Sequence, residues 1–408
     1  MILNFDYQQA AFDKLSKLKA GALFMKMGTG KTKVALDLAK AQQNGFETII
    51  WIAPASLLRD NGYNAEINKW SHGLNRPIAF YSVEGVAASD TKYLEMRALA
   101  QSRRSFCVVD ESITIKNTDA GRTQRLLKMW DTFKYRLILN GTPITKGLID
   151  IYSQMNFLHP KILNMTETQF ANRFLTYKKD GYKPWKRWSR PENEEALIEI
   201  IRPYIFDVEL DIPVKMNEYV QNFCLSEEEK QEYIFNKRAF LEGKFEVEFL
   251  TVAQKFQHMY SACKAKIDYL KELVPTLGKV IIYVKYLDEV ELLRKLFKCV
   301  VLTGKEKGDL SRFENDIDVL ICVYGVGSMG RNWQFANNII YFTQTFNYGD
   351  KVQSMHRIYR TGQKKDCNIY NLWVNTGLDD LIKKSLDKKE NVSDNIKKII
   401  SKEKALKL

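Results

Sequence analysis

The chain has 408 residues, 45% of them hydrophobic, which at roughly 100–200 residues per domain provides for two or three packed domains. Its net charge of +13 comes from 62 lysines and arginines against 49 acidic residues. This favours a polyanionic partner, because cations that neutralise phosphates release condensed counterions, although charge alone does not separate DNA from RNA or from an acidic protein surface. No apolar run approaches the roughly 20 residues that cross a bilayer, and the opening MILNFDYQQAAFDKL lacks a basic segment followed by an apolar one, so nothing targets the chain to a membrane or for export. The six cysteines stand singly with no CxxC pair, which argues against a zinc module or a disulfide framework and for reduced thiols.

In chain order, strand-sized apolar runs recur at 22–27 (ALFMKM), 48–54 (TIIWIAP), 106–111 (FCVVDE) and 136–143 (RLILNGTP). They are nearly continuous rather than alternating, as parallel strands buried on both faces require. A second series follows at 279–284 (KVIIYV), 299–303 (CVVLT), 318–323 (DVLICV), 338–343 (NIIYFT) and 368–374 (NIYNLWV). Helical stretches separate the strands, so each series predicts an α/β lobe with a doubly wound parallel sheet. The intervening residues are rich in charged and aromatic side chains and lack a comparable strand series. The expected organisation is a first lobe over 1–150, a helical insertion and linker over 151–265, a second lobe over 266–378 and a lysine-rich helical tail over 379–408.

The first strand runs into MGTGKT at 27–32 and then the helical KVALDLAKA. A strand, a glycine turn and a helix form a phosphate-binding arrangement. Gly28 and Gly30 let the backbone turn so that amides, Thr29's among them, face phosphate oxygens. Lys31 offers charge to the β/γ-phosphates and Thr32 a hydroxyl to Mg²⁺. The first glycine of GxxxxGK[ST] is missing, and a glycine turn that merely caps a helix is the alternative. Asp110 and Glu111 close the strand FCVVDE, at the end of a sheet strand where ligands collect. Asp110 suits Mg²⁺ and Glu111 suits the attacking water, though a solvated acidic pair would look the same.

The order and spacing of MGTGKT, APASLL (53–58), DESITIKN (110–117) and LNGTPI (139–144) resemble the Swi/Snf-like branch of superfamily 2 helicases. Trp70 matches a tryptophan that follows the second motif, and Tyr7 and Gln8 resemble the family's YQ element. The resemblance implies two RecA-like lobes, ATP and Mg²⁺ as cofactors, adenine recognition by Gln8, and DNA backbone contacts from Ser56, Lys116, Asn117 and Thr142. The family's motif histidine is replaced by Ile113, which has no polar group to link the hydrolysis site to other motifs, and Ser112 stands where alanine is usual.

Further along, QSMHRIYRTGQ at 353–363 resembles QxxDRxxRxGQ. It implies nucleotide contact by Gln353 and makes Arg357 and Arg360 the arginine-finger candidates, while arginines spaced three apart on one helix face also suit a solvated surface or a phosphate contact. GSMGRNW at 327–333, FN at 346–347, YSQMNFLHP at 152–160, DIPVK at 211–215 and SACKAKIDYLKEL at 261–273 extend the likeness across most of the chain. The segment YKKDGYKPWKRWSRP at 177–191 interleaves cations with aromatics, including Trp185, Lys186, Arg187 and Trp188. It reads either as a hairpin that stacks on bases and tracks phosphates or as a surface hairpin with packed tryptophans. The expectation is a monomeric DNA-dependent ATPase translocating on duplex or branched DNA, in the cytoplasm of a bacterial or phage-infected cell or on the nucleoid. A strand-separating helicase is the alternative.

Overall fold

The computed structural model describes residues 5–26, 28–59, 61–141, 143–144, 147–180, 183–188, 191–208, 213–241, 249–324, 333–360 and 362–387. The chain divides into two compact units, Met1–Leu210 and Asp211–Leu408.

The first unit is built on strands β1 (Ala20–Met25), β2 (Thr48–Ala53), β3 (Ile78–Ser82), β4 (Ser105–Asp110) and β5 (Tyr135–Leu139). An antiparallel hairpin, β6 (Thr176–Asp180) with β7 (Lys183–Trp188), comes next in the chain, followed by β8 (Ile205–Val208). Apart from the hairpin, these strands form one sheet in the order β3-β2-β4-β5-β1-β8, with every pairing parallel. Alternate side chains leave on opposite faces, and both faces are covered. Leu23, Ile49, Trp51, Val108 and Leu137 meet α1 (Asp6–Leu15) and α2 (Lys31–Ala41) through Ala11, Leu15, Val34 and Leu38. That face also receives α3 (Asn61–Ser71), whose Tyr63, Ile67 and Trp70 lie one helical turn apart. Phe24, Ile50, Ile52, Val109 and Ile138 pack on the other face against Ile151, Met155 and Leu158 of α4 (Ile149–Leu158). Two-sided burial explains the near-continuous apolar runs.

The second unit repeats the plan with β9 (Met216–Phe223), β10 (Val280–Val284), β11 (Cys299–Leu302), β12 (Val319–Val323), β13 (Asn338–Tyr341) and β14 (Cys367–Val374), ordered β11-β12-β10-β13-β14-β9 and all parallel. One face packs on α5 (Lys264–Leu273), α6 (Leu287–Leu296) and, beyond α7 (Tyr348–Met355), on α8 (Gly377–Asp387) through Leu270, Leu293, Leu378 and Ile382. Among the described residues, no helix is long and apolar enough to cross a membrane.

The expected middle segment over 151–265 is not a body of its own. α4 lies in the first unit's core and β8 extends its sheet beside β1. Beyond it, β9 pairs with β14, and Tyr233, Ala253 and Tyr260 join the second unit's core. The stretch therefore does contain sheet strands, and it is divided between the two units. The start of the predicted tail also belongs to the second core, because α8 begins at Gly377 and buries Leu378, Ile382 and Leu386. Residues 388–408 lie outside the described residues.

Candidate nucleotide site and motor motifs

In the first unit the phosphate loop leaves β1 and re-enters as α2. Gly28 and Gly30 both take positive φ, 84° and 79°, which favours glycine. At Gly30 the requirement is double, since an added Cβ would stand 2.4 Å from Gln8 Nε2. That amide donates to Thr29 O at 2.8 Å while Gln8 Oε1 accepts from Phe5 N at 3.3 Å. Buried Gln8 thus braces the loop, with both ends of its side chain engaged within the protein. Lys31 Nζ donates to Met25 O at 2.8 Å and Lys26 O at 3.3 Å, which curls the ammonium back over the loop. Thr29 is buried and donates from Oγ1 to Lys26 O at 2.7 Å, and Thr32 is buried in the first turn of α2. Met27 lies outside the described residues.

Asp110 ends β4 in a buried setting, where its carboxylate accepts from the Tyr63 hydroxyl and from Glu111 N at 2.9 Å. The Tyr63 oxygen in turn accepts from Trp51 Nε1 at 2.8 Å. Burial raises the Asp110 pKa above the ordinary carboxylate range, opposed by the Tyr63 hydrogen bond, the Lys31 charge and the Glu111 amide. Burial likewise raises the Tyr63 phenol well above its usual value, with the Asp110 charge adding to the effect. Glu111 follows in the left-handed region, φ 52° and ψ 55°, a conformation that costs a non-glycine residue roughly 1–2 kcal/mol and turns the chain sharply off the strand. Thr32 and Asp110 offer the hard oxygen donors that Mg²⁺ prefers, so the residues present fit that ion.

The turn after Glu111 is tied to α4. Ser112 Oγ donates to Gln154 Oε1 at 2.7 Å, and Ser153 Oγ donates to Ile115 O at 2.6 Å. Lys116, expected on the DNA backbone, forms an ion pair with buried Asp150 at 3.6 Å. Asn117 is exposed and its Oδ1 accepts from Asp119 N at 3.1 Å. Ser56 sits half-buried in the short helix Ala55–Leu58. Thr142 lies outside the described residues, as do the side chains of Trp185, Lys186, Arg187 and Trp188 on β7. Ile113 is half-buried in the turn, and its carbonyl accepts from Lys116 N at 3.3 Å.

In the second unit, α7 ends at Met355 and the chain continues in turns, so Arg357 and Arg360 do not share a helix face. Arg357 is 0% exposed and its charge is felt by the buried Tyr283 phenol. Arg360 and Gln353 are half-buried. Gln363 Nε2 donates to Ala336 O at 2.9 Å and to Ile358 O at 3.1 Å, which fastens the motif's end to the core.

Sequence reasoning missed Tyr63 and Gln154. The signal for Tyr63 was its helical spacing with Ile67 and Trp70, which places a phenol on the sheet-facing side. For Gln154 it was a polar group with Asp150 and Ser153 on a helix whose neighbouring positions Ile151, Met155 and Leu158 are apolar.

A family model described as the SNF2-related domain matches residues 7–268, and one described as the Helicase conserved C-terminal domain matches residues 265–362. An uncharacterized ATP-dependent helicase of Mycoplasma genitalium is 25% identical, over 95% of this chain and 42% of that protein. The chromatin structure-remodeling complex subunit snf21 of Schizosaccharomyces pombe is 22% identical over 86% of this chain and 35% of its own length. The DNA repair and recombination protein RAD54-like of Drosophila willistoni is 23% identical over 85% and 55%. The solved Sulfolobus solfataricus SWI2/SNF2 ATPase core in complex with dsDNA aligns with 99% of this chain and 94% of its own at 20% identity, with a TM-score of 0.43. The chain spans 42% of the length of the Mycoplasma genitalium relative. With the first family model covering more than half of the residues and the second beginning where it ends, the chain belongs to the SNF2-related family and carries a helicase conserved C-terminal domain.

Proposed function

We propose that this chain is a DNA-dependent ATPase that translocates on duplex DNA and remodels forks, branched junctions or protein–DNA complexes. The observation that carries the reading is the first unit's site. A glycine loop with two positive-φ glycines and Lys31 lies at the end of β1, and Asp110 and Glu111 lie at the end of β4 in the same parallel sheet. Ligands collect at such strand ends. The names of the relatives and the net charge of +13 support DNA as the partner.

In this reading the loop amides and Lys31 bind the β/γ-phosphates, and Thr32 and Asp110 hold Mg²⁺, which when bound offsets phosphate charge during transfer. Glu111 orients the attacking water, and Arg360 is the cation assigned to the developing charge on the transferring phosphoryl group. Ser56, Lys116, Asn117 and Thr142 face the DNA backbone, which requires Lys116 to exchange its pairing with Asp150 for a phosphate. The working form is a monomer in the cytoplasm or on the nucleoid.

Steady-state ATP hydrolysis at fixed salt tests this, comparing no nucleic acid, single-stranded DNA, duplex DNA, a four-way junction and RNA, with Lys31→Ala as the blank. Stimulation by duplex or junction DNA supports the translocase. Stimulation by single strands or RNA alone replaces it with a strand-separating helicase in which the β6–β7 hairpin serves as the wedge. Turnover that persists in Lys31→Ala refutes the ATP site.

A further inference from the structure

Gln154 is a fully buried amide that bonds two different motifs at once. Its Oε1 accepts from Ser112 Oγ at 2.7 Å, and Ser112 directly follows Glu111. Its Nε2 donates to Pro143 O at 2.9 Å, inside the segment LNGTPI, and to Asp150 O at 2.6 Å within its own helix. Both Ser112 and Gln154 are 0% exposed, so water does not compete for these bonds. α4 grips the 112–116 turn at three residues, Asp150, Ser153 and Gln154. The Gln154 side chain also bonds the 139–144 segment, at Pro143 O.

Asp150 and Ser153 are buried on α4 as well, but Ile151, Met155 and Leu158 beside them lie in the apolar core. A leucine or methionine at 154 would occupy such a place without the desolvation cost of an amide. A buried amide is stable there because Ser112, Pro143 and Asp150 satisfy it, and together they make a short polar bridge through an apolar layer. Ile113, the next residue of the turn, has no polar side-chain atom with which to make that bridge.

We propose that Gln154 is a positioning residue that couples the 139–144 segment to Glu111, so that engagement of DNA by the first unit's motifs sets the placement of the water-orienting carboxylate. The inference rests on the proposed function and names the internal link by which DNA stimulates hydrolysis. A shift of the Pro143 carbonyl passes through one rigid amide to Ser112. It reaches Glu111 where the backbone already holds a left-handed conformation with little freedom to absorb it.

The test uses the full chain with Gln154→Met, Ser112→Ala and the two combined. The readouts are kcat and KM for ATP with and without duplex DNA, alongside the urea midpoint. Gln154→Met alone strands the Ser112 hydroxyl and lowers the midpoint. The double variant replaces both partners of that bond with apolar groups, which restores much of the stability. A purely structural role therefore predicts that stimulation returns with stability. Coupling predicts instead that the double variant stays folded while its ratio of DNA-stimulated to basal kcat falls about 2- to 30-fold, with KM for ATP moved less than kcat. A folded double variant that keeps wild-type stimulation overturns the inference. If the double variant does not fold, a folded Ser112→Ala with full stimulation overturns it equally, and one with reduced stimulation supports it. A wild-type protein that no DNA stimulates defeats the proposed function and this inference together, which distinguishes that failure from the others.

Discussion

Removing one oxygen atom from the phenol of Tyr63 tests how the hydrolysis site is held. In Tyr63→Phe the ring still fills its place against the sheet, but two buried groups lose their partner. The Trp51 indole N–H, in a side chain that is 0% exposed, has donated to that oxygen at 2.8 Å. Stranding a buried donor costs about 1–3 kcal/mol, and a hydrogen bond to a charged group contributes about 1.5–3 kcal/mol. The Asp110 carboxylate recovers part of this through the Lys31 charge, so the expected loss is roughly 2–4 kcal/mol rather than the full sum. With an m-value near 2–3 kcal/mol/M in urea, the midpoint falls by about 1 M. The same variant lets the Asp110 carboxylate rotate, so the Mg²⁺ concentration at half-maximal hydrolysis rises. Urea denaturation followed by far-UV circular dichroism, with a Mg²⁺ titration at saturating ATP, measures both. A midpoint within about 0.2 M of wild type, together with an unchanged Mg²⁺ requirement, would refute the assignment of Tyr63 as the brace of Asp110.

Gly30→Ala should lower stability by about 1–2 kcal/mol from its positive φ alone. It should also weaken a non-hydrolysable ATP analogue about tenfold, because the new Cβ displaces the Gln8 amide from Thr29 O. Calorimetric binding equal to wild type would show that Gln8 does not brace the loop. Lys285, whose Nζ donates to Gln257 Oε1 at 2.8 Å, is held down to about 7 by burial. Its unfolded value is near 10.4, so across that window the unfolded chain binds more protons and stability rises with pH. Lys285→Met lacks this dependence. The stability difference, wild type minus variant, should therefore grow between pH 7 and pH 10 by at most about 4 kcal/mol, and denaturation curves that keep a constant gap over that range would contradict the burial argument.

The sheets were legible in the sequence because strands covered on both faces must be apolar throughout, and the phosphate loop because a left-handed turn between strand and helix calls for glycine. Strand β9 gave no such signal. Seven of its eight residues keep some solvent exposure, so MNEYVQNF carries no apolar run. β8 was hidden by its length, four residues after a helix and a turn. Arg357 and Arg360 do not share the helix face that their spacing suggested, because spacing of three implies a shared face only while a helix continues, and here α7 stops before the first arginine. Motif resemblance named Asp110 and Glu111 but not the side chains behind them. Tyr63 and Gln154 act through contacts with residues distant in the chain, and a one-dimensional pattern carries these only as a polar atom on a face that should be greasy.

β1 lies between β5 and β8, with Ala22 paired to Ile205. During synthesis on a ribosome, the strand that leads into the phosphate loop is an open edge until the chain has been extended as far as Val208. Its exposed amides and carbonyls are then available to any extended segment nearby. The nucleotide loop therefore gains its final support only after a long stretch of later chain has emerged. Pairings so remote in sequence also slow the closing of the sheet, which lengthens the time over which a newborn chain would benefit from a chaperone.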